Sequence, residues 1–274
     1  YAKWYRPDLQ GIMIVGDINV DEMEAKLKKV FADVKAPVHP ANRIYYPVAD
    51  NQEPLIFIGT DKEIETPSIS FFFKSEAFPD SLKNTINYYG IQYMLSMGIS
   101  MLNSRLAEIR QQADPPFTGA SAGYGDFFVA KTKSAFGIDA SSKIGGIELA
   151  MKTILEEAER ARRFGFTETE YDRARANYLQ RVESAYNERE KMKNDTYVNE
   201  YISNFLDNEP MPGIEYEYAM MNKLAPNIPV TAINQVMQQL ITDNNQVVLL
   251  AGPEKEGLKY PTKEEITALL NQMK

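Results

Sequence analysis

Residues 90–140 limit the possible folds more than any other stretch of the chain. They read GIQYMLSMGISMLNSRLAEIRQQADPPFTGASAGYGDFFVAKTKSAFGIDA. Leu95, Leu102, Leu106 and Ile109 mark a helix expected to end at Ala113-Asp114. Pro115-Pro116 forbids its continuation, because proline lacks the N–H and restricts the residue before it. Residues 117–124 are small and Gly-rich, Gly125-Asp126 predicts a turn, and residues 127–139 return as a second strand. The first strand has little side-chain bulk. Its glycines and alanines fit a tight corner or a strand beneath a helix, where another backbone comes close. They fit equally an edge that accepts an extended peptide as an added strand. Gly119, Ala120, Ser121, Ala122 and Gly123 are the candidates for that edge.

Periodicity predicts the remaining elements. Residues 9–15 are an apolar run between Pro-Asp and Gly-Asp, as in a buried strand. Asn19 and Glu22 form a capping box for a helix with the stripe Met23, Leu27, Val30, Phe31 and Val34. Residues 35–42, with Pro37 and Pro40, read as a linker or as a surface loop within one domain. Residues 54–59 and 68–73 are strands around the charged turn 61–65. Phe71-Phe72-Phe73 puts aromatics on both faces and predicts cover on both sides. Ser81 opens a long helix that Gly98 breaks or kinks.

Beyond the hairpin, Ser141 or Ser142 caps a helix with Ile147, Met151, Ile154, Leu155 and Ala158 on its buried face, and Gly165 ends it. Thr167 and Glu170 form a second capping box. Tyr171, Ala174, Tyr178, Val182 and Tyr186 share one face of the helix that follows, opposite a solvated face of Arg and Glu. Residues 197–206, 214–224, 230–240 and 262–273 are further helices, and 246–251 is the last strand. The pattern of residues 8–16 echoes that of 244–252, each an apolar run closed by Gly and followed by a short helix. Strands early and late, with a helical run between them, predict an α+β sandwich rather than a doubly wound sheet.

Composition excludes several classes. The net charge of −8 and the scattering of Lys and Arg among carboxylates argue against nucleic acid. No apolar run approaches the roughly 20 residues of a membrane span. Without Cys there is no disulfide and no thiolate chemistry. The chain opens on an aromatic–basic run with neither Met nor a leader-like segment, and is read as a piece of a longer protein. There is no Gly-x-Ser-x-Gly elbow and no phosphate-binding loop; Gly119, Gly123 and Gly125 follow a break rather than a strand. Glu168, Glu170 and Asp172 cluster at a helix N-terminus, where capping and the helix dipole account for them.

The segment Gly98-Ile-Ser-Met-Leu-Asn-Ser-Arg-Leu106, a break, a small-residue strand and a Gly-Asp-Phe turn together resemble the second domain of the pitrilysin/insulinase zinc metallopeptidases. The opening Tyr1-Ala-Lys-Trp-Tyr-Arg-Pro-Asp8 with Val15-Gly-Asp-Ile18, and the closing Val247-Val-Leu-Leu-Ala-Gly-Pro253, extend the likeness over nearly the whole chain. It implies a two-layer α+β sandwich with a mostly antiparallel sheet covered by helices, as in the mitochondrial processing peptidase-like metallohydrolases. It also implies that residues 1–36 close a preceding catalytic domain, 37–52 are a linker and 53–274 are the family's second domain.

The family's catalysis uses an inverted His-x-x-Glu-His helix, two imidazoles holding zinc and the Glu handling the proton of the bound water. This sequence has one histidine, His39, in a proline-flanked linker. Zinc is therefore expected outside this chain, and no catalytic or metal residue is assigned within it. In the family's second half an Arg followed seven residues later by Tyr stabilises the reacting carbonyl. Seven residues after Arg110 stands Phe117, which has no hydroxyl to donate, so the chain resembles instead the domain directly after the catalytic one. In family members that domain offers an edge anchoring the substrate's N-terminus. By position, Gly119 to Gly123 would be that edge, although the strand reads Ala122-Gly123 where the family has Gly-Gly.

The resemblance implies a zinc endopeptidase whose non-catalytic domain shapes the substrate chamber. The expected partners are peptide substrate, the catalytic domain and the enzyme's second half, in the bacterial periplasm or cytoplasm, of which the resemblance favours the periplasm. A non-catalytic partner subunit of the same fold and an unrelated α+β binding domain are the alternatives. Residues 9–15, left unpaired, are expected to pair with a second copy of the chain.

Overall fold

A computed structural model describes residues 3–273. A 3-10 turn (Pro7–Leu9) and an extended segment lead to α1 (Val20–Val30), whose N-cap Asn19 accepts from the Glu22 N–H at 3.2 Å. The predicted strand over 9–15 does not form; among the described residues that segment takes part in no ladder. Its neighbour is the side of a helix rather than a strand: a Cβ at Gly11 would lie 3.1 Å from the Phe205 ring. A helix has spent its backbone groups internally and offers none to a ladder. The echo between 8–16 and 244–252 thus becomes a strand only in the second instance.

The body follows as β1 (Leu55–Asp61), β2 (Ser68–Glu76), α2 (Asp80–Lys83), α3 (Ile86–Arg110), β3 (Gly119–Phe127), β4 (Ala130–Ser141), α4 (Ile147–Phe164), α5 (Glu168–Asn187), α6 (Asn194–Asp207), α7 (Ile214–Leu224), α8 (Val230–Leu240), β5 (Gln246–Pro253) and α9 (Lys263–Met273). The five strands make one sheet in the order β1-β5-β2-β4-β3, antiparallel except for β1 beside β5. This is the predicted α+β architecture.

The core lies on one face of the sheet. Register places Ile58, Leu250, Ile69, Ala140 and Ala120 in one row, and Phe71, Val248, Ile138 and Ala122 in the next. α3, α4, α8 and α9 cover this face. α5 packs on α3 and α7 as a second tier. The sheet face is already filled, so the α5 stripe turns to α3, where the Tyr93 and Tyr171 hydroxyls meet at 3.0 Å.

The other face departs from expectation. Phe71 and Phe73 are buried beneath the helices, but Phe72 points away from them and is screened by the rings of Phe127 and Phe128, 5.9 and 5.3 Å away. Phe57, on the same outer face, is 61% exposed. The same ring cluster moves the hairpin turn from Gly125-Asp126 to Phe128-Val129, with Phe128 held at a left-handed φ of 55°.

Local sequence signals also yield to packing at three helix positions. The helix expected from Ser81 divides at Thr85, whose hydroxyl accepts from the Tyr88 N–H and caps α3. α3 then runs unbroken through Gly98 and ends at Arg110, before the Ala113-Asp114 boundary expected from the prolines. Gly98 is a packing notch, since a Cβ there would lie 2.6 Å from the Met237 sulfur of α8. The cap of α4 is Gly146, because Ser141 belongs to β4 and the Ser142 hydroxyl donates to the Lys143 carbonyl. Gly165 and the Thr167–Glu170 box fall where the sequence places them.

The end of the 37–52 segment is fixed to the sheet. Lys74 Nζ donates to the Ala49 carbonyl at 2.5 Å, and Lys133 Nζ pairs with Asp50 at 2.7 Å and Glu76 at 2.5 Å. Both lysines are buried, and the hydrogen bond from Lys133 holds the Asp50 carboxyl below its ordinary range. Asn51 and Asn245 exchange bonds beside them, at 2.9 and 2.8 Å.

Candidate functional site

The five candidate residues Gly119, Ala120, Ser121, Ala122 and Gly123 all lie on β3, which is an edge strand of the sheet. In an antiparallel ladder alternate residues turn their N–H and C=O toward the partner and away from it. Ala122 turns away from β4: its N–H donates to Asn103 Oδ1 at 2.7 Å, and its carbonyl accepts from Asn103 Nδ2 at 3.0 Å. The same alternation puts the backbone groups of Ala120 and Tyr124 on the outward side, and those of Ser121 and Gly123 in the ladder with Asp139 and Gly137. So the candidates divide into ladder residues and outward residues, a division the sequence does not reveal.

Side-chain directions divide them again. Ala122 is buried toward the helices, and Ser121 and Gly123 are exposed on the opposite face. A Cβ added at Gly119, Gly123 or Gly125 would meet no described atom within 4 Å, and none of the three has a positive φ. Close approach of a described neighbour therefore does not require these three glycines, whereas Ala122 is buried against the helices, as in a strand beneath a helix. Gly137 differs, because the Phe72 ring would stand 3.2 Å from its Cβ.

Between α3 and the β3 edge lies a groove of about 720 Å³, lined by Gln92, Ser96, Ser100, Asn103, Ser104, Gly123 and Tyr124 among others, with no charged side chain. Gln92, Ser96, Ser100 and Ser104 recur every four residues along α3, which is the sequence signal for this wall. Asn103 went unrecognised in the sequence, since its partner lies nineteen residues away on another element.

The groove shares Gln92 and Tyr124 with a second cleft of about 700 Å³. Several polar groups of that cleft pair with one another. Tyr88 donates to the Glu209 carboxylate at 2.6 and 2.8 Å; burial, then this carboxylate, pushes the phenol well above its ordinary range. Lys83 bridges Asp80 at 3.2 Å and Glu209 at 3.3 Å, and Lys131 pairs with Asp207.

No group of three or more His, Cys, Asp or Glu among the described residues is arranged to hold a metal ion. His39 is exposed in the linker at a φ of 56°, and Phe117 is buried in the core while Arg110 is exposed. The donor set does not fit a catalytic zinc, which normally needs three protein ligands. No helix among the described residues is long and apolar enough to cross a membrane.

Known proteins share this fold. The chain is 27% identical over 255 residues to a zinc protease PQQL-like protein of Arabidopsis thaliana, covering 93% of this chain and 23% of that one. The solved periplasmic protease PqqL from Escherichia coli superposes with a TM-score of 0.80 at 20% identity, over 94% of this chain and 28% of that chain. Against the first half of PqqL, solved separately, the TM-score is also 0.80, over 55% of that chain. The chain thus spans about a quarter of the length of the curated relatives it matches. The peptidase M16 inactive domain matches residues 1–178, and this chain belongs to that family.

Proposed function

We propose that this chain is the non-catalytic domain of a zinc-dependent endopeptidase, and that its β3 edge anchors an extended stretch of peptide substrate away from the metal. Zinc is held by a catalytic domain outside this chain, and residues 1–36 complete that domain, with 37–52 as the connection and 53–274 as the second domain. The uncovered sheet face lines the path of the substrate, and the enzyme's second half closes the chamber. The protein works in the periplasm, as the solved relative does.

The observation that carries this reading is the open space over Gly119, Gly123 and Gly125. Glycine in a strand costs about 0.5–1 kcal/mol relative to alanine. Here no positive φ and no described neighbour demands it, so the space suits something that approaches from outside. An extended peptide beside a sheet edge draws affinity from main-chain bonds and needs that clearance.

Proline scanning in the full-length enzyme tests it. Ala120→Pro removes an outward N–H and leaves the ladder intact, whereas Ser121→Pro breaks the β3–β4 ladder. One net hydrogen bond contributes roughly 0.5–1.5 kcal/mol, so Ala120→Pro should weaken capture of long peptides by up to about tenfold. Short peptides, which reach the metal without touching the edge, should be cleaved as before. Equal loss for both lengths would mean a disturbed fold, and no loss for either would make β3 a packing element only.

A further inference from the structure

We propose that the Asn103 carboxamide is a removable stand-in for a bound strand, and that it restricts the β3 edge to extended peptide segments able to displace it. This rests on the reading of β3 as a substrate edge. The carboxamide presents one acceptor and one donor, and both are spent on the outward N–H and C=O of Ala122, at 2.7 and 3.0 Å. These are the groups an added strand would take. Residues two apart on a strand are about 6.6 Å apart, so a peptide pairing with both Ala120 and Tyr124 must pass the place where Asn103 stands. Continuous pairing and the Asn103 bonds exclude each other.

The arrangement serves both states of the edge. At rest the Ala122 groups are satisfied, and the strand offers no uninterrupted row for unwanted pairing with other chains. When a peptide adds to the edge, it replaces the carboxamide bonds with equivalent ones, so its net gain comes from Ala120, Tyr124 and side-chain contacts. Because no charged side chain lines the groove, a charged peptide side chain facing α3 would lose water without gaining a counter-charge. The favoured ligand is therefore an extended segment with uncharged side chains toward α3.

The test uses the full-length protein, stripped of zinc by EDTA so that peptide is bound and not cut. The probe is a fluorescein-labelled peptide of alternating Ser and Val, read by anisotropy. Asn103→Ala removes the competitor, and the dissociation constant should fall between about fivefold and a hundredfold, as expected for two net hydrogen bonds no longer displaced. Asn103→Asp keeps the acceptor for the Ala122 N–H but loses the donor, and should give a smaller gain; it covers the case in which the alanine variant does not fold. A companion probe with Lys in place of Val should bind the wild type more weakly. Unchanged or weaker binding in the folded variants, with the wild type still binding, would overturn the role of Asn103 and leave the edge standing. Absence of binding in all of the proteins would overturn the edge and the stand-in together.

Discussion

Replacing Glu170 with Gln measures how the junction between α3 and α5 is held. Arg105 and Glu170 are joined at 2.6 Å (Nε to Oε1) and 3.0 Å (Nη2 to Oε2), with side chains only 10% and 18% exposed. The guanidinium also donates to the Gly165 carbonyl at 2.9 Å and lies 4.5 Å over the Phe166 ring. Glu170 Oε2 accepts from Thr167 N–H at 2.8 Å and Oγ1 at 2.9 Å, closing the capping box. Burial by itself would raise the carboxyl's pKa, but the Arg105 and Thr167 bonds outweigh it and hold the pKa at about 2, against 4.5 in the unfolded chain. A folded pKa below the unfolded one means that folding favours the ionised group. Its contribution is complete above pH 4.5 and is lost as the pH falls through about 2. At 1.36 kcal/mol per unit the contribution is about 3 kcal/mol at pH 7. Urea denaturation of wild type and Glu170→Gln should differ by that amount at pH 7 and by about half of it at pH 3. A difference below about 1 kcal/mol at pH 7, or one that does not shrink between pH 7 and pH 3, would refute the reasoning.

Two glycines of α3 should behave oppositely on substitution. Gly98→Val drives methyls into Met237 and should cost about 1–3 kcal/mol in a thermal melt, whereas Gly90→Ala enters open space and should stabilise by about 0.5–1 kcal/mol. Calorimetric titration of the chain with zinc should give no tight stoichiometric site; one such site would contradict the assignment of the metal to another domain. Ile12 and Ile14 are 56% and 42% exposed, so Lys at both should convert any self-associated form to monomer in sedimentation. An unchanged mass distribution would show that this segment does not mediate association.

Much of this protein follows from its sequence alone. The apolar stripe of α4, the spans of α7 and α8, the Thr167–Glu170 box, the Gly165 stop and the presence of five strands are all legible, because each rests on neighbours within a turn or two of chain. The α+β class follows from the order of strands and helices along the chain, and the antiparallel majority is what the family resemblance implies. Local patterns stop being sufficient where a partner comes from far away. Residues 9–15 carry a strand's pattern but lie beside α6, and a ladder needs a backbone partner that no local pattern supplies. Gly98 reads as a break and is a notch for Met237; α5 carries a stripe fit for a sheet and spends it on α3. At the candidate site the sequence marks the small residues of β3 and, in retrospect, the polar row on α3. Only the tertiary structure decides that Ala120, Ala122 and Tyr124 turn their backbone outward, that Asn103 occupies the middle of that row, and that no described residue fills the space over the three glycines. Strand parity and edge position are properties of the assembled sheet, set by pairings between residues far apart in sequence.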